Sequence, residues 1–187
     1  MGDNYKFSHR SIMIEPKRSG LNLQQDPLGT SSCVTTIQGH KRWLLIPPGP
    51  GITKEYLCGK RGILPITYFD NSWPKLKKDE NNINGKLPLV IECIQYPGET
   101  MFIPGGWWYA VLNLGDTISI KENFCSIANF DRVWYNTRKS RKLLAYKWLQ
   151  HLEKDNNALY QRALTMNRRD LWVMWKPKKK AAPKDAV

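Results

Sequence analysis

The sequence has few residues of the kinds that build zinc sites and disulfides. Its four cysteines are isolated from one another, and its three histidines do not join them at zinc-ligand spacing. No apolar run approaches the roughly 20 residues that cross a bilayer, and the N-terminus lacks the core of a signal peptide. These absences predict reduced thiols in a reducing, intracellular compartment, at positions Cys33, Cys58, Cys93 and Cys125.

Acidic residues are also scarce. The chain has 29 Lys and Arg against 16 Asp and Glu, which gives a formal net charge of +13. Most of this excess lies between residues 131 and 187, a segment that contains 15 basic and 5 acidic residues. A basic segment of this kind favours a polyanionic partner, such as RNA, but it does not specify a fold.

Short strand patterns separated by Pro and Gly dominate the first two thirds of the chain. Apolar runs lie at 43–46, 89–94, 100–103 and 107–114, and residues 117–121 alternate between apolar and polar. Many short strands with such turns predict a mainly β barrel or jelly roll. Residues 49–86 contain mostly Gly, Pro, Asn and Lys, and we interpret them as a surface insertion into a domain that covers residues 1–130.

The pattern changes to helix from about Arg132. Leu144, Trp148 and Leu152 recur at four-residue spacing, and the Asn pair at 156–157 separates this helix from a shorter one. We therefore expect basic helices at 131–166, packed on the barrel, and a basic tail at 167–187. The Lys-rich part of the tail, 176–180, is compatible with a nuclear import signal.

Two blocks of motifs resemble a known family. They read RSG at 18–20, DPLGTS at 26–31, QGHKRW at 38–43, PGE at 97–99 and PGGWW at 104–108. They are similar to the Jumonji C domain of the arginine demethylase and lysyl hydroxylase group, which contains iron(II) and 2-oxoglutarate oxygenases. The resemblance implies a cupin-like double-stranded β-helix with helices outside it.

In that family, two histidines and one carboxylate hold the iron and leave positions open for 2-oxoglutarate and oxygen. The matching positions here are Gln24, Asp26 and Tyr109, so the resemblance leaves one of three ligands in place. An amide and a neutral phenol are weak ligands for iron(II). We therefore expect no metal site and no cofactor, and this argues against an enzyme.

The cosubstrate pocket is changed as well. The resemblance places Lys41 where a lysine would pair with 2-oxoglutarate, but Lys121 replaces the partner hydroxyl and Val34 replaces an asparagine. Lys41 and Lys121 could still attract a small dicarboxylate. The alternative is that Lys41 pairs with solvent or with a carboxylate of the protein. For Asp26, we favour a role as the cap of the turn that follows it.

Family members carry strands and helices before the RSG motif, whereas only 17 residues precede Arg18 here. We therefore expect a barrel that is incomplete at its N-terminal side. Because an uncovered sheet edge promotes aggregation, we expect other protein subunits to cover the missing part.

The basic segment supplies candidate nucleic-acid contacts, because cations between aromatic residues suit phosphates and unpaired bases. These candidates are Arg138, Lys139, Arg141, Lys142, Arg168 and Arg169. The alternative is that these cations are simply solvated on the surface of the helices.

Three hypotheses follow from the sequence. The first is a catalytically inactive Jumonji-like subunit of a larger, RNA-associated assembly in the nucleus or in an organelle with ribonucleoprotein particles. The second is an iron(II) and 2-oxoglutarate-dependent protein hydroxylase or demethylase with an altered metal site. The third is a metal-free binder of a small dicarboxylate or of a peptide.

Overall fold

The computed structural model describes residues 8–50, 52, 57, 64–79 and 90–177. These residues form two compact units, one that ends at Asn129 and one that begins at Phe130. Cys58, part of the segment 49–86 and the tail beyond Pro177 lie outside the described residues.

The first unit consists of two antiparallel four-stranded sheets. The strands are β1 (Ser8–Glu15), β2 (Gly20–Gln24), β3 (Ser31–Gln38), β4 (Lys41–Ile46), β5 (Ile91–Gln95), β6 (Thr100–Ile103), β7 (Trp108–Asn113) and β8 (Thr117–Phe124). One sheet has the order β1-β8-β3-β6 and the other has the order β2-β7-β4-β5. This alternation of strands between two sheets is the arrangement of a jelly roll, so the predicted fold class is confirmed.

The N-terminal strand β1 belongs to the first sheet. We expected the barrel to be incomplete at its N-terminal side, but β1 pairs with β8 along its whole length, from Ser8 opposite Phe124 to Glu15 opposite Thr117. The predicted gap is therefore not found among the described strands. The segment before the RSG motif supplies an edge strand of the first sheet.

Side chains from both sheets fill the space between them. Val34 and Ile103 of the first sheet pack with Trp43, Tyr109 and Val111 of the second. Burying each such side chain contributes about 1.5–3 kcal/mol. The Trp43 indole donates to Gln95 Oε1 at 2.8 Å, so its one polar atom is also satisfied. Trp43, Ile103, Tyr109 and Val111 belong to the apolar runs at 43–46, 100–103 and 107–114 that predicted strands.

The insertion is partly a packed element. A helical turn (Pro65–Thr67), a π-helical turn (Tyr68–Ser72) and helix α1 (Trp73–Asp79) follow one another. Their aromatic residues Tyr68, Phe69 and Trp73 are buried against the apolar outer face of the second sheet. The interpretation of 49–86 as a surface insertion is therefore wrong for Tyr68, Phe69 and Trp73, because the outward face of β4 and β7 is apolar and these residues cover it.

The outer face of the first sheet carries several exposed apolar side chains. Ile12 on β1 lies opposite Ile120 on β8, and Ile14 is the next outward residue on β1. Their exposed fractions are 72% for Ile12, 77% for Ile14 and 41% for Ile120. Phe102 on β6, 53% exposed, lies on the same face. We call these four residues the apolar sheet face.

The second unit contains three helices. They are α2 (Phe130–Ser140), α3 (Lys142–Asp155) and α4 (Asn157–Arg169). Phe130, Trp134 and Trp148 pack edge to face or stacked, with ring centroids 5.4–6.4 Å apart. Asn156 caps α4 by accepting from the Leu159 amide at 3.1 Å, which confirms the predicted break. Among the described residues, no helix is long and apolar enough to span a membrane.

Candidate functional site

The chain brings three separate segments together inside the first unit. Gln24 at the end of β2 lies opposite Tyr109 at the start of β7. Asp26 follows β2 and precedes the 3-10 turn Pro27–Gly29. The loop before β7 packs tightly on that turn, because a Cβ on Gly105 would lie 2.5 Å from the Gly29 carbonyl oxygen. The turn and the loop thereby fix Asp26 and Tyr109 next to each other.

Lys121 of β8 reaches this place from the opposite sheet. Its Nζ donates to Asp26 Oδ1 at 2.6 Å and to the Tyr109 hydroxyl at 2.7 Å. The Tyr109 hydroxyl donates to the same Oδ1 at 3.0 Å, and Ser32 Oγ donates to Asp26 Oδ2 at 2.5 Å. We call Asp26, Tyr109 and Lys121 the lysine cluster. An internal ammonium group thus contacts both Asp26 and Tyr109, two of the three positions that match family ligands.

Gln24 completes the hydrogen bonding of the lysine cluster. Its Nε2 donates to the Tyr109 hydroxyl at 3.2 Å. The phenol oxygen then accepts from Lys121 and Gln24 and donates to Asp26, which is its full capacity. The Gln24 side chain therefore directs its N–H group, and not its oxygen, toward the cluster.

The protonation states follow from burial and from this ion pair. Burial opposes ionisation of Asp26, but the Lys121 and Ser32 hydrogen bonds outweigh it and lower the pKa of Asp26. Burial would lower the pKa of Lys121, but Tyr109 and Asp26 raise it. Burial and the charge of Asp26 raise the pKa of Tyr109. At neutral pH the cluster holds a carboxylate, an ammonium and a neutral phenol.

Lys41 forms a second buried ion pair within the same unit. Its Nζ donates to Glu15 Oε2 at 2.6 Å and to Asn113 Oδ1 at 2.9 Å. Its side chain is 1% exposed. Of the two interpretations of Lys41, the structure shows the pairing with a carboxylate of the protein. A dicarboxylate would have to displace Glu15 from Lys41 and Asp26 from Lys121.

The predicted capping role of Asp26 is wrong. Its side chain makes no capping hydrogen bond to the turn Pro27–Gly29. The carboxylate faces Lys121, Tyr109 and Ser32, because a paired ammonium group stabilises a buried carboxylate better than one backbone amide does.

The structure separates the predicted nucleic-acid residues into two groups. Arg138 is 1% exposed, donates to Asn167 Oδ1 at 2.7 Å and pairs with Asp170, so it holds α2 against the end of α4. Arg169 donates to Asp170 Oδ1 at 2.8 Å, and Lys139 donates to the Tyr135 hydroxyl. Lys139 and Arg169 are exposed, as are the other three candidates, Arg141, Lys142 and Arg168, so Arg138 is the one buried residue of the six. Nucleic-acid binding by these residues stays a prediction.

Sequence reasoning missed Glu15, Ser32 and Asn113. We did not predict β1, so the inward position of Glu15 at its end was not visible. Asn113 is the last residue of β7, in a pattern that predicted only a strand. The contact between Asp26 and Lys121 had a signal, since both residues occupy family site positions and carry opposite charges.

Comparison with known proteins identifies relatives with assigned activities. A sequence profile described as "JmjC domain, hydroxylase" matches residues 11–124. The bifunctional arginine demethylase and lysyl-hydroxylase psr-1 of Caenorhabditis elegans is 37% identical over 85% of this chain and 40% of its own length. The 2-oxoglutarate and iron-dependent oxygenase JMJD4 homolog of Drosophila melanogaster is 30% identical over 82% of this chain and 32% of its own length. The chain thus spans at most about two fifths of these relatives.

The similarity to these relatives contradicts our expectation that the chain uses no cofactor. Relatives are named as 2-oxoglutarate and iron-dependent oxygenases, so iron and 2-oxoglutarate are the cofactors that similarity implies. The expectation rested on three side chains, whereas the comparison rests on more than 100 matched positions.

The donors at the site do not fit a ferrous ion in this arrangement. Among the described residues, no group of three or more His, Cys, Asp and Glu side chains could hold a metal. Asp26 is the one carboxylate, and the Lys121 ammonium lies 2.6 Å from its Oδ1. A dication at that oxygen would be repelled by the ammonium group, and the neutral Tyr109 phenol would add little.

Proposed function

Because this chain belongs to the JmjC domain, hydroxylase family, we propose that it is a member whose barrel has become a non-catalytic, protein-binding subunit of a larger assembly. One observation carries this proposal. Lys121 pairs with Asp26 and contacts Tyr109, so a fixed cation of the chain occupies the centre of the family's ligand set.

The energetics of the cluster favour this function over the chemistry of the relatives. Opening the site to a metal would separate a buried ion pair, and breaking such a pair costs about 3–5 kcal/mol. The cost would have to be recovered by an amide, a carboxylate and a phenol as ligands. The lysine cluster therefore stabilises the barrel as it stands.

A second function is favoured by the relatives. Proteins with 30% and 37% identity to this chain are named as an iron-dependent oxygenase and a demethylase. This chain would then be an oxygenase with an altered metal site. For that chemistry, Lys121 would have to leave Asp26 before a metal could bind.

Turnover of 2-oxoglutarate distinguishes the two functions. We expect the full chain, supplied with iron(II), ascorbate and 2-oxoglutarate, to form no succinate beyond a protein-free control, because Asp26 is held by Lys121. The measurement is succinate by mass spectrometry, with and without a chelator. Succinate that depends on both protein and iron would support the oxygenase and contradict our first proposal.

The apolar sheet face is the surface that we propose for a protein partner. Exposed apolar patches of this kind mark protein interaction sites or cause aggregation. Its residues Ile12 and Ile14 lie on the edge strand β1, where another chain could also add backbone hydrogen bonds. A partner that covers this face would bury the apolar side chains and could pair with the edge of β1.

Self-association of the isolated chain tests this surface. We expect the chain to associate with rising concentration in static light scattering, and Ile12→Lys with Ile14→Lys to abolish this, because two charges on β1 prevent burial of the face. A matched control is Ile127→Lys with Leu143→Lys, which changes two exposed apolar residues elsewhere. A natural chain that stays monomeric at all concentrations, or equal effects of the two pairs, would contradict the proposal.

A further inference from the structure

The helical unit carries a basic segment that contains no acidic residue. Residues 132–142, in α2 and at the start of α3, include five Lys and Arg and no Asp or Glu. Arg141 and Lys142 are exposed, and their side chains form no salt bridge or hydrogen bond with the residues that the structure describes. Because no carboxylate of the described chain neutralises them, their charges are available to an anion from outside.

A buried arginine holds two aromatic rings beside this segment. Arg138 is 1% exposed, and its guanidinium carbon lies 5.4 Å from the centroid of the Tyr135 ring and 5.3 Å from that of the Trp172 ring. The guanidinium also donates to Asn167 Oδ1 at 2.7 Å and pairs with Asp170. These contacts fix Arg138, and Arg138 keeps the two rings near each other. Tyr135 is 39% exposed and Trp172 is half-buried, so both rings reach the surface.

Two further cations lie next to the rings. Lys139 is exposed and one helical turn from Tyr135, and its Nζ lies 4.1 Å from the centroid of the Tyr135 ring. Arg168 is exposed and lines the same surface groove as Trp172. We call six residues of this unit the basic aromatic surface: Tyr135, Lys139, Arg141, Lys142, Arg168 and Trp172. It combines four exposed cations with two partly exposed rings.

This combination distinguishes between kinds of anionic partner. The cations suit phosphates, whose neutralisation releases counterions, and the rings suit unpaired bases, which stack on aromatic side chains. An acidic peptide would pair with the cations but would leave the rings without a stacking partner. In a duplex the bases already stack on one another, so the rings would add little. A single-stranded nucleic acid uses both features of the surface.

We propose that the basic aromatic surface binds single-stranded nucleic acid without preference for sequence. The four cations pair with phosphates, and bases stack on Tyr135 and Trp172. Lys139 leaves the Tyr135 ring for a phosphate, and a base takes its place. Arg138 positions the two rings and contacts no phosphate, since it is buried. The proposal goes beyond the protein-binding function of the barrel, and the chemistry at Lys121 does not enter it.

Fluorescence anisotropy with labelled probes tests the proposal on the full chain. The probes are single-stranded oligo(dT) and oligo(U) of about 20 nucleotides, the duplex of oligo(dT) with oligo(dA), and a poly-Glu peptide of similar charge. We expect at least one single strand to bind at least about tenfold tighter than the duplex and the peptide, because stacking contributes about 1–3 kcal/mol per base. The comparison of oligo(dT) with oligo(U) then distinguishes DNA from RNA. Equal or tighter binding of the duplex or of the peptide would overturn the proposal.

The dependence on salt tests the role of the cations. Each neutralised phosphate of a single strand contributes about −0.7 to the slope of log K against log salt concentration, so we expect a slope of about −2 to −3. Lys139→Glu with Lys142→Glu should weaken binding at least about tenfold. A matched control is Lys75→Glu with Lys78→Glu, which makes the same change of charge on two exposed lysines of α1. Binding that is insensitive to salt, or equal effects of the two pairs, would contradict the proposal.

The role of the rings is tested by a substitution without change of charge. Tyr135→Leu keeps an apolar side chain against Arg138 but removes the stacking platform, so we expect the single strand to bind at least about fivefold more weakly. Tyr96→Leu is the control, because Tyr96 is 51% exposed and belongs to the first unit. Near-UV circular dichroism checks that both variants are folded. If Tyr135→Leu bound the single strand as tightly as the natural chain does, the surface would act by charge alone and the proposal would be wrong.

Discussion

Restoring the family ligands should convert the lysine cluster into a metal site. In the triple variant Gln24→His, Tyr109→His and Lys121→Thr, Asp26 gains two imidazole neighbours and loses the ammonium that lies 2.6 Å from its Oδ1. We expect the affinity for Mn(II) or Fe(II) to rise by more than about 100-fold over the natural chain, since second-shell changes alone alter metal affinity by 10–100-fold. Isothermal titration calorimetry under nitrogen measures it.

The contribution of Lys121 is isolated by a matched control. The double variant Gln24→His and Tyr109→His contains the three family ligands but retains the ammonium group. We expect it to bind metal much more weakly than the triple variant, because Lys121 and the metal compete for Asp26. Near-UV circular dichroism must show that both variants are folded. Equal affinities would mean that the missing ligands, and not Lys121, exclude the metal, and the central argument for a non-catalytic barrel would fail.

The architecture could be predicted from sequence wherever local pattern and motif agreed. Strands β6 and β7 and the break at Asn156 were expected nearly as observed, since Pro, Gly and Asn mark their ends. β1 was missed, although its Ser11-Ile12-Met13-Ile14 pattern is a strand pattern. This segment lies before the RSG motif, outside the motifs that carry the resemblance, and pairs with β8.

The site could be predicted in its composition but not in its contacts. Gln24, Asp26 and Tyr109 were named from the motifs, and the structure brings them together with Lys121. The opposite charges of Asp26 and Lys121 are visible in the sequence, but whether the lysine reaches the carboxylate depends on side-chain length and on the separation of the sheets. For the same reason Arg138 looked like a surface cation, whereas it is buried under Trp172 and Tyr135.

Removal of Lys121 from its ion pair with Asp26 should strongly destabilise the barrel. We expect Lys121→Met to lower the free energy of unfolding near neutral pH by about 3–5 kcal/mol, because it leaves a buried carboxylate without a counter-charge. Urea denaturation followed by tryptophan fluorescence measures the change. Arg10→Met is a control, since Arg10 also pairs with a carboxylate, Glu122, but its side chain is 74% exposed, and exposed pairs contribute about 0–1 kcal/mol.

The free energy of unfolding should also depend on pH in a way that identifies this ion pair. The folded pKa of Asp26 is lowered, so its contribution is present above its unfolded pKa of about 3.9 and is lost as the pH falls through the folded pKa. The folded pKa of Lys121 is raised, so its contribution is present below about pH 10.4 and is lost as the pH rises through the folded pKa. In Lys121→Met, burial without a counter-charge should raise the pKa of Asp26 above its unfolded value, and protonation would then stabilise the variant. The difference in stability between the natural chain and the variant should therefore shrink as the pH falls from about 7 to about 4.

A double variant decides whether charge is the cause. Asp26→Asn with Lys121→Met removes both charges but leaves an amide oxygen to accept from the Tyr109 hydroxyl. We expect it to recover most of the loss of Lys121→Met, with a coupling energy in the upper part of the range of about 0.5–3 kcal/mol that contacting residues show. If the two substitutions were instead additive, and the loss in Lys121→Met did not change with pH, then Lys121 would act through packing alone and would not serve as the counter-charge of the site.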